Sequence, residues 1–319
     1  MKAGKNMRCK ISCILSRIKW LAKASLLLII GCQAQMPVHR DTQLLMGTYV
    51  EVVSQDSRAA RIVFDEIKRI EKLLSKYDPD SEVSLLNRTG TVTAGPDLYY
   101  LLTRSKEFWF ATDGAFDITV GPLMDIWGFT AKNFRQPSDD EIRAALSGVG
   151  MNKIIVHPLD NVVKFTVSGS AIDTGGLGKG YAIDCAVGLL RAAGVRSCLI
   201  NAGGQIYCLG TNAGAPWRIA VRDPRSLKPG GSFDLVDKAV ATSGDYEQFF
   251  IAGGRRFSHI MDPRTGRPVD SGVISATVIA DDGLTADFLA TSLIVMGKEK
   301  GMALLERYPG AVAKVVEGR

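Results

Sequence analysis

Between Ala171 and Gly180 the chain reads AIDTGGLGKG, with four glycines in its last six residues, and it leads into a helical pattern from about Tyr181 to Ala193 that closes at Gly194. A glycine-dense turn at the mouth of a helix lets backbone N–H groups approach an anion, which makes it the strongest local constraint on the fold. Two common versions are excluded. A Walker A loop needs Gly at 173 and Ser or Thr at 180, where Asp173 and Gly180 stand. The GxGxxG fingerprint fails on spacing: after Gly176 and Gly178, Lys179 and Gly180 fall at its variable positions and Tyr181 stands where the third glycine belongs. The residues alone fit two readings equally: an anion loop with Lys179 supplying charge, or a flexible strand-to-helix turn.

The elements around this turn do not alternate as βαβ units. Leu44–Val53 (LLMGTYVEVV) reads as a strand, and Val63, Ile67, Ile70 and Leu74 mark an amphipathic helix within Arg58–Lys76. A helix opens at Pro96-Asp97, and Ser138 with Glu141 forms a capping box for another. Strand-like runs occupy Lys153–His157, Val162–Val167, Ser197–Asn201, Gln205–Leu209, Trp217–Val221, Ala239–Thr242 and Val273–Ile279. Thr285 is expected to cap a helix through Met296, and Lys298–Tyr308 reads as one more. The prediction is α+β: one large mixed domain over residues 44–319, not a doubly wound dinucleotide fold.

Charge separates the domain from its leader. Of 39 Lys and Arg in the 319 residues, seven lie in residues 1–31, which hold no acid; the rest nearly balances 33 Asp and Glu. The formal charge of +6 therefore belongs to the leader and does not support a nucleic-acid partner. A basic stretch through Lys23, a short apolar run Ala24–Ile30, then Gly31 and Cys32 resemble a bacterial lipoprotein signal peptide. Arg17, Lys19 and Lys23 interrupt any stable membrane span. The expected layout is a signal peptide over residues 1–31, lipidation at Cys32, a tether over residues 32–43 and then the domain. This places the protein outside the cytoplasm, held to the bilayer by its lipid, on the periplasmic face of the inner or outer membrane; Gln33 after the cysteine favours the outer. In the domain, Cys185, Cys198 and Cys208 remain. Cys198 and Cys208 could be cross-strand neighbours, but the expectation is free buried thiols, and no Cys/His spacing suits zinc.

Two constellations could carry chemistry. His259 lies in HIMDPRTGRPV, where Asp262-Pro263 and Thr265-Gly266 set a tight turn and Arg264 and Arg267 add charge that would suit an anion. Asp287 and Thr291 share one face of the helix in TADFLATSLIVMG. A carboxylate and a hydroxyl make an oxygen-only pair suited to Mg²⁺ and not to zinc. Equally, Asp287 fits a plain role in the first turn, favoured by the helix dipole.

The motifs MGTYV, KYDPDSEVSLLN, GAFDITVGPL, IDTGGLGKGYAID, NAGG, HIMDPRTGRPV and TADFLAT follow one another as in the ApbE family, the FAD:protein FMN transferases, and the resemblance runs from Met46 to about Gly297. It implies Mg²⁺-dependent transfer of FMN from FAD to a Ser or Thr hydroxyl of an acceptor flavoprotein, such as a membrane redox-pump subunit, with release of AMP. It also implies that Met46, Tyr77, Ala115, Phe116, Asp117, Asp173, Lys179 and Ile260 line the FAD site, with Tyr77 or Phe116 available for ring stacking. Asp287 and Thr291 would hold Mg²⁺, joined by backbone oxygens near Gly176 and Ala290. Lys179 would offset phosphate charge and His259 would be the catalytic base, with Asp173, Asp245 and Asp287 as rivals. The family often has an acid after NAGG, where this chain has Gln205, and Gly176 stands where relatives carry Thr or Ala. Competing readings are a Mg²⁺-dependent FAD pyrophosphatase yielding FMN and AMP, a flavin-binding lipoprotein without turnover, and a structural envelope lipoprotein.

Overall fold

Seven segments pair into one antiparallel sheet: β1 (His39–Leu45), β2 (Thr48–Ser54), β3 (Cys198–Ala202), β4 (Gln205–Leu209), β5 (Lys238–Gly244), β6 (Val273–Ala280) and β7 (Val312–Glu317). Their order across the sheet is their order in the chain, and every neighbouring pair is antiparallel. The fold is thus a meander interrupted by long excursions, which confirms the mixed α+β class. This computed structural model describes residues 37–226 and 228–318. The signal peptide, Cys32 and the first part of the tether lie outside the described residues. Among those residues, no helix is long and apolar enough to cross a membrane.

The excursions carry helices α1 (Ala59–Leu74), α2 (Glu82–Thr89), α3 (Pro96–Ala111), α4 (Gly121–Ile126), α5 (Asp139–Leu146), α6 (Gly178–Ala192), α7 (Gly283–Met296) and α8 (Lys298–Leu305). The apolar stripe of α1 buries Val63, Phe64, Ile67, Ile70 and Leu74 in the main core. Helix α7 is apolar nearly all round, as expected of an interior helix. It packs on β5 and β6 and crosses α6. Strand β6 is buried along its whole length because both faces are covered. Trp217, Ile219 and Leu235, from the paired strands Trp217–Arg222 and Pro229–Leu235, cover the far face beside Val53, Cys208, Val240 and Ile279. A third cluster packs Trp127, Phe129, Phe257 and Met261 below the hairpin Phe249–Ala252 with Arg255–Ser258.

Several boundaries differ from the sequence expectation. The single strand at Leu44–Val53 is two strands, joined by a tight turn in which Met46 (φ 51°) and Gly47 (φ 71°) are both left-handed. Residues 39–43 of the supposed tether pair in β1 with β2. Asp282, and not Thr285, caps α7: its side chain accepts from the Thr285 N–H. Helix α6 begins at Gly178, so Lys179 and Gly180 lie in its first turn. Cys198 and Cys208 sit on neighbouring strands but one residue out of register, and they point into opposite cores as free thiols.

Candidate active site

A cleft of about 120 Å³ opens where six distant stretches meet. Its walls include Ala115–Ile118, Asp173 with Gly175, Gly176 and Lys179, Gly203 and Gln205, Thr242, Ser243 and Glu247 at and after the end of β5, His259–Met261, and Asp287, Thr291 and Val295 of α7. The Gly203-Gly204 turn joining β3 to β4 needs φ of 62° and 97°, which suits a two-residue hairpin turn and explains the paired glycines of NAGG.

The crossing of α6 and α7 positions the most polar part of the cleft. A Cβ on Gly180 would lie 2.6 Å from the Gly283 carbonyl carbon and 2.9 Å from the Leu284 nitrogen, so the two backbones approach as only glycine allows. Asp184 ties the crossing from the other side: its carboxylate accepts from the N–H groups of Gly283 at 2.6 Å and Leu284 at 2.8 Å. Burial pushes its pKa up to about 7 despite these bonds. Gly180 N–H in turn donates to Asp287 Oδ2 at 3.2 Å. The last glycine of GGLGKG therefore serves helix packing and the orientation of Asp287.

Asp287 is only 3% exposed, on a helix otherwise lined with apolar residues. Burial raises its pKa, while the Lys179 ammonium, the Gly180 N–H and the Gln205 side chain act in the opposite direction. Thr291 stands one turn on, with its Oγ1 3.2 Å from Ser243 Oγ. A Cβ on Gly176 would come 3.7 Å from that Thr291 oxygen, so the backbone of Gly176 closes on the same spot. A buried carboxylate, two hydroxyls and nearby backbone form an all-oxygen set. Among the described residues no cluster of three or more His, Cys, Asp or Glu could hold a metal. Such a set fits a hard cation that keeps water or phosphate ligands, and it does not fit zinc.

The opposite wall is held by other pairs. Asp173 Oδ2 accepts from Lys76 at 2.6 Å and its Oδ1 accepts from Gly175 N–H at 2.8 Å, which pins the glycine turn. Asp117 also reaches the cleft, but its carboxylate is committed to Thr119 and to Met151 N–H. Phe116 packs edge-on against Phe108 and Phe288, so its ring belongs to the core as much as to the cleft. Lys179 has no hydrogen-bond or ion-pair partner among the described residues, which leaves its charge for a ligand.

His259 is positioned by the segment that follows β5. Its backbone N–H and ring Nδ1 both meet the Gln248 carbonyl, at 3.0 and 3.1 Å. A carbonyl can only accept, so Nδ1 carries the proton and Nε2 keeps a free lone pair. Burial lowers the pKa of His259, and Lys179 adds to this, which favours the neutral ring at neutral pH. Nearby, Glu247 keeps a face open to solvent while the surrounding protein pushes its pKa up to about 7.

Ala115, Phe116, Asp117, Asp173, Gly176, Lys179, His259, Ile260, Asp287 and Thr291 thus converge as their motifs suggested. Others do not. Met46 serves the β1–β2 turn, where its N–H donates to Glu71 at 2.7 Å, and Tyr77 projects into solvent with 68% exposure. Neither stands in the cleft wall, although a Cβ on Gly178 would come 3.7 Å from Met46 Cε; Ala290 is fully buried in α7 between Asp287 and Thr291, so only its backbone oxygen could serve the site. Arg264 is held by Asp262 and Arg267 by Asp139, so neither is free for an anion. Asp245 pairs with Arg225 and Arg256 away from the cleft and drops out as a base. Lys76, Ser243 and Glu247 were missed. The polar turn Ser243–Glu247 at the end of an apolar strand was the available signal for the last two, since sites concentrate on such loops.

Comparison with known proteins follows the same lines. The FAD:protein FMN transferase of Vibrio cholerae is 35% identical over 315 residues, covering 93% of each chain. That of Escherichia coli is 32% identical over 257 residues, 77% of this chain and 73% of the other. Among solved structures, the ApbE protein of Thermotoga maritima matches with a TM-score of 0.82 at 35% identity, covering 88% of this chain and 94% of that one. A mutant of the flavin transferase ApbE from Vibrio cholerae matches at 0.79 with 29% identity, over 89% and 94%. Residues 46–316 match the ApbE family, and this chain belongs to it.

Proposed function

We propose that this protein transfers FMN from FAD to a Ser or Thr hydroxyl of an acceptor flavoprotein, with Mg²⁺ as cofactor and AMP as the second product. The observation that carries the reading is the convergence of Lys179, His259, Asp287 and Thr291, from three separate segments, in one cleft. Relatives named FAD:protein FMN transferase support it over most of the chain.

In this reaction the acceptor oxygen forms a bond to the FMN phosphorus while the pyrophosphate bridge breaks, and AMP leaves with the bridging oxygen. The hydroxyl proton passes to Nε2 of His259, which the Gln248 carbonyl holds in the accepting tautomer. Lys179 offsets negative charge on the phosphate oxygens. The bonds of Asp173 to Lys76 and to Gly175 N–H pin the glycine turn that leads into the Lys179 helix. Asp287 and Thr291 would hold Mg²⁺, with backbone oxygen from the Gly176 turn. When bound, the metal supplies Lewis-acid neutralisation of the pyrophosphate.

Incubation of the domain with FAD, Mg²⁺ and a candidate acceptor flavoprotein, followed by intact-mass measurement, tests the proposal. The expected result is an acceptor heavier by one FMN; free FMN and AMP with an unmodified acceptor would make the protein a pyrophosphatase instead. We further propose export and lipidation at Cys32, with the lipid anchoring the domain to a membrane. Cys32→Ala should then lose lipid labelling and membrane association, and unchanged labelling would reject the assignment.

A further inference from the structure

Four carboxylates face the cleft: Asp117, Asp173, Asp287 and Glu247. Three are occupied within the protein. Asp117 accepts from Thr119 and Met151, Asp173 from Lys76 and Gly175, and Asp287 from Gly180. The Glu247 carboxylate has no hydrogen-bond or ion-pair partner among the described residues, although it stands in a wall that holds an equally unpaired Lys179 ammonium. An ionised carboxylate repels phosphate, so a pyrophosphate-binding wall has no use for it as an anion ligand. A hydroxyl is the partner its ionised form suits, because a carboxylate offers only acceptor sites.

Two placements identify which hydroxyl. Glu247 is exposed at the rim of the cleft, whereas Asp287 and Thr291 lie deeper on α7. A group arriving from solvent meets the rim first. Glu247 also directly precedes Gln248, whose carbonyl fixes both the backbone and the ring of His259. The unpaired carboxylate and the accepting Nε2 are therefore set by one short segment, and Lys179 acts electrostatically on both.

We propose that Glu247 is a further catalytic residue, whose carboxylate accepts a hydrogen bond from the attacking Ser or Thr hydroxyl and so holds the acceptor oxygen for proton transfer to His259. This rests on the transferase reading given above. The hydroxyl keeps its single proton until phosphorus–oxygen bond formation; Glu247 takes part as acceptor only, and no bond to it forms or breaks.

The test compares the full chain with Glu247→Gln and Glu247→Ala. FAD affinity is read from flavin fluorescence, and FMN transfer is followed with a purified threonine-bearing flavoprotein as acceptor. The expected result is a drop in kcat/KM for the acceptor of about 10²-fold in Glu247→Ala, with FAD affinity within about twofold of the parent. Glu247→Gln should be intermediate, since its amide oxygen can still accept. Parent-like acceptor kinetics in both variants would overturn the inference alone. A matching loss of FAD affinity would also overturn it, by making Glu247 an FAD ligand. A parent enzyme that releases AMP but labels no acceptor would overturn this inference together with the transferase reading.

Discussion

Replacing Gly180 by Ala and Gly188 by Ala is the same chemical change at two places in α6, and the structure predicts opposite signs. At Gly188, which is exposed, an added Cβ meets nothing within 4 Å. Alanine there removes the helix penalty of glycine and should stabilise the protein by up to about 1 kcal/mol. At Gly180 the same methyl would lie 2.6 Å from the Gly283 carbonyl carbon and closer still to its oxygen. Relaxed contacts between such atoms need about 3.5 Å, so α6 and α7 would have to part by roughly 1 Å. Overpacking of this kind costs about 1–3 kcal/mol, and here the obstacle is backbone, which cannot rotate away. The propensity gain offsets part of that, leaving a net loss of up to about 2 kcal/mol. Each kcal/mol corresponds to about 2–4 °C in Tm for a domain of this size. Thermal melts of the two variants side by side give the answer. Because Gly180 N–H also donates to Asp287, the Gly180 variant should lose transfer activity beyond its stability loss, while the Gly188 variant keeps it. Equal Tm shifts in the two variants would refute the crossing as the reason for Gly180.

His259→Ala should lower turnover by about 10²–10⁴-fold with FAD affinity largely kept, since proton transfer acts on the transition state; near-normal turnover would move the base elsewhere. Asp184→Asn should change how stability depends on pH. The Asp184 pKa rises on folding from 3.8 to about 7, so between those values the folded protein keeps a proton that the unfolded chain gives up. Stability of the parent should therefore fall as pH rises through that window, by up to about 4 kcal/mol from this group. The Asn variant lacks that slope, although losing one acceptor costs it a pH-independent amount. Tm measured from pH 4 to 8 should show the difference between the two proteins shifting in favour of the variant; a constant difference would count against a buried protonated Asp184.

What could be read from the sequence was local, and what could not was contact between distant parts. The α1 stripe and the Ser138–Glu141 capping box are patterns within a single helix, and both are found as expected. Asp287 and Thr291 stood out as two polar groups on one face of an apolar helix, but that pattern also fits a helix-start carboxylate, and only the motif resemblance put them at the site. The role of Gly180 was not, since it depends on a backbone 103 residues away at Gly283. Lys76 was hidden for the same reason: its partner Asp173 lies 97 residues on. The β1–β2 turn was missed because Met46 adopts a left-handed conformation that favours Gly or Asn. Strand β7 was missed at the end of the chain, where VAKVVE alternates weakly and gains its identity only by pairing with β6. The hairpin behind His259 was missed too, and with it the carbonyl that sets the tautomer of the ring.

The most direct test of the cleft as a transfer site is a titration of FMN transfer against Mg²⁺ for the parent and for Asp287→Asn. The substitution keeps the size and helix position of Asp287 and removes its charge and one strong ligand oxygen. Asp287→Asn is expected to be inactive at metal levels that saturate the parent, to regain part of its activity with excess Mg²⁺, and to melt within a few degrees of the parent. If Asp287 served only the start of α7, the change would cost about 0.3–1 kcal/mol of stability and nothing else. Superimposable activity curves for the two proteins would contradict the account and leave Asp287 as a feature of the helix alone.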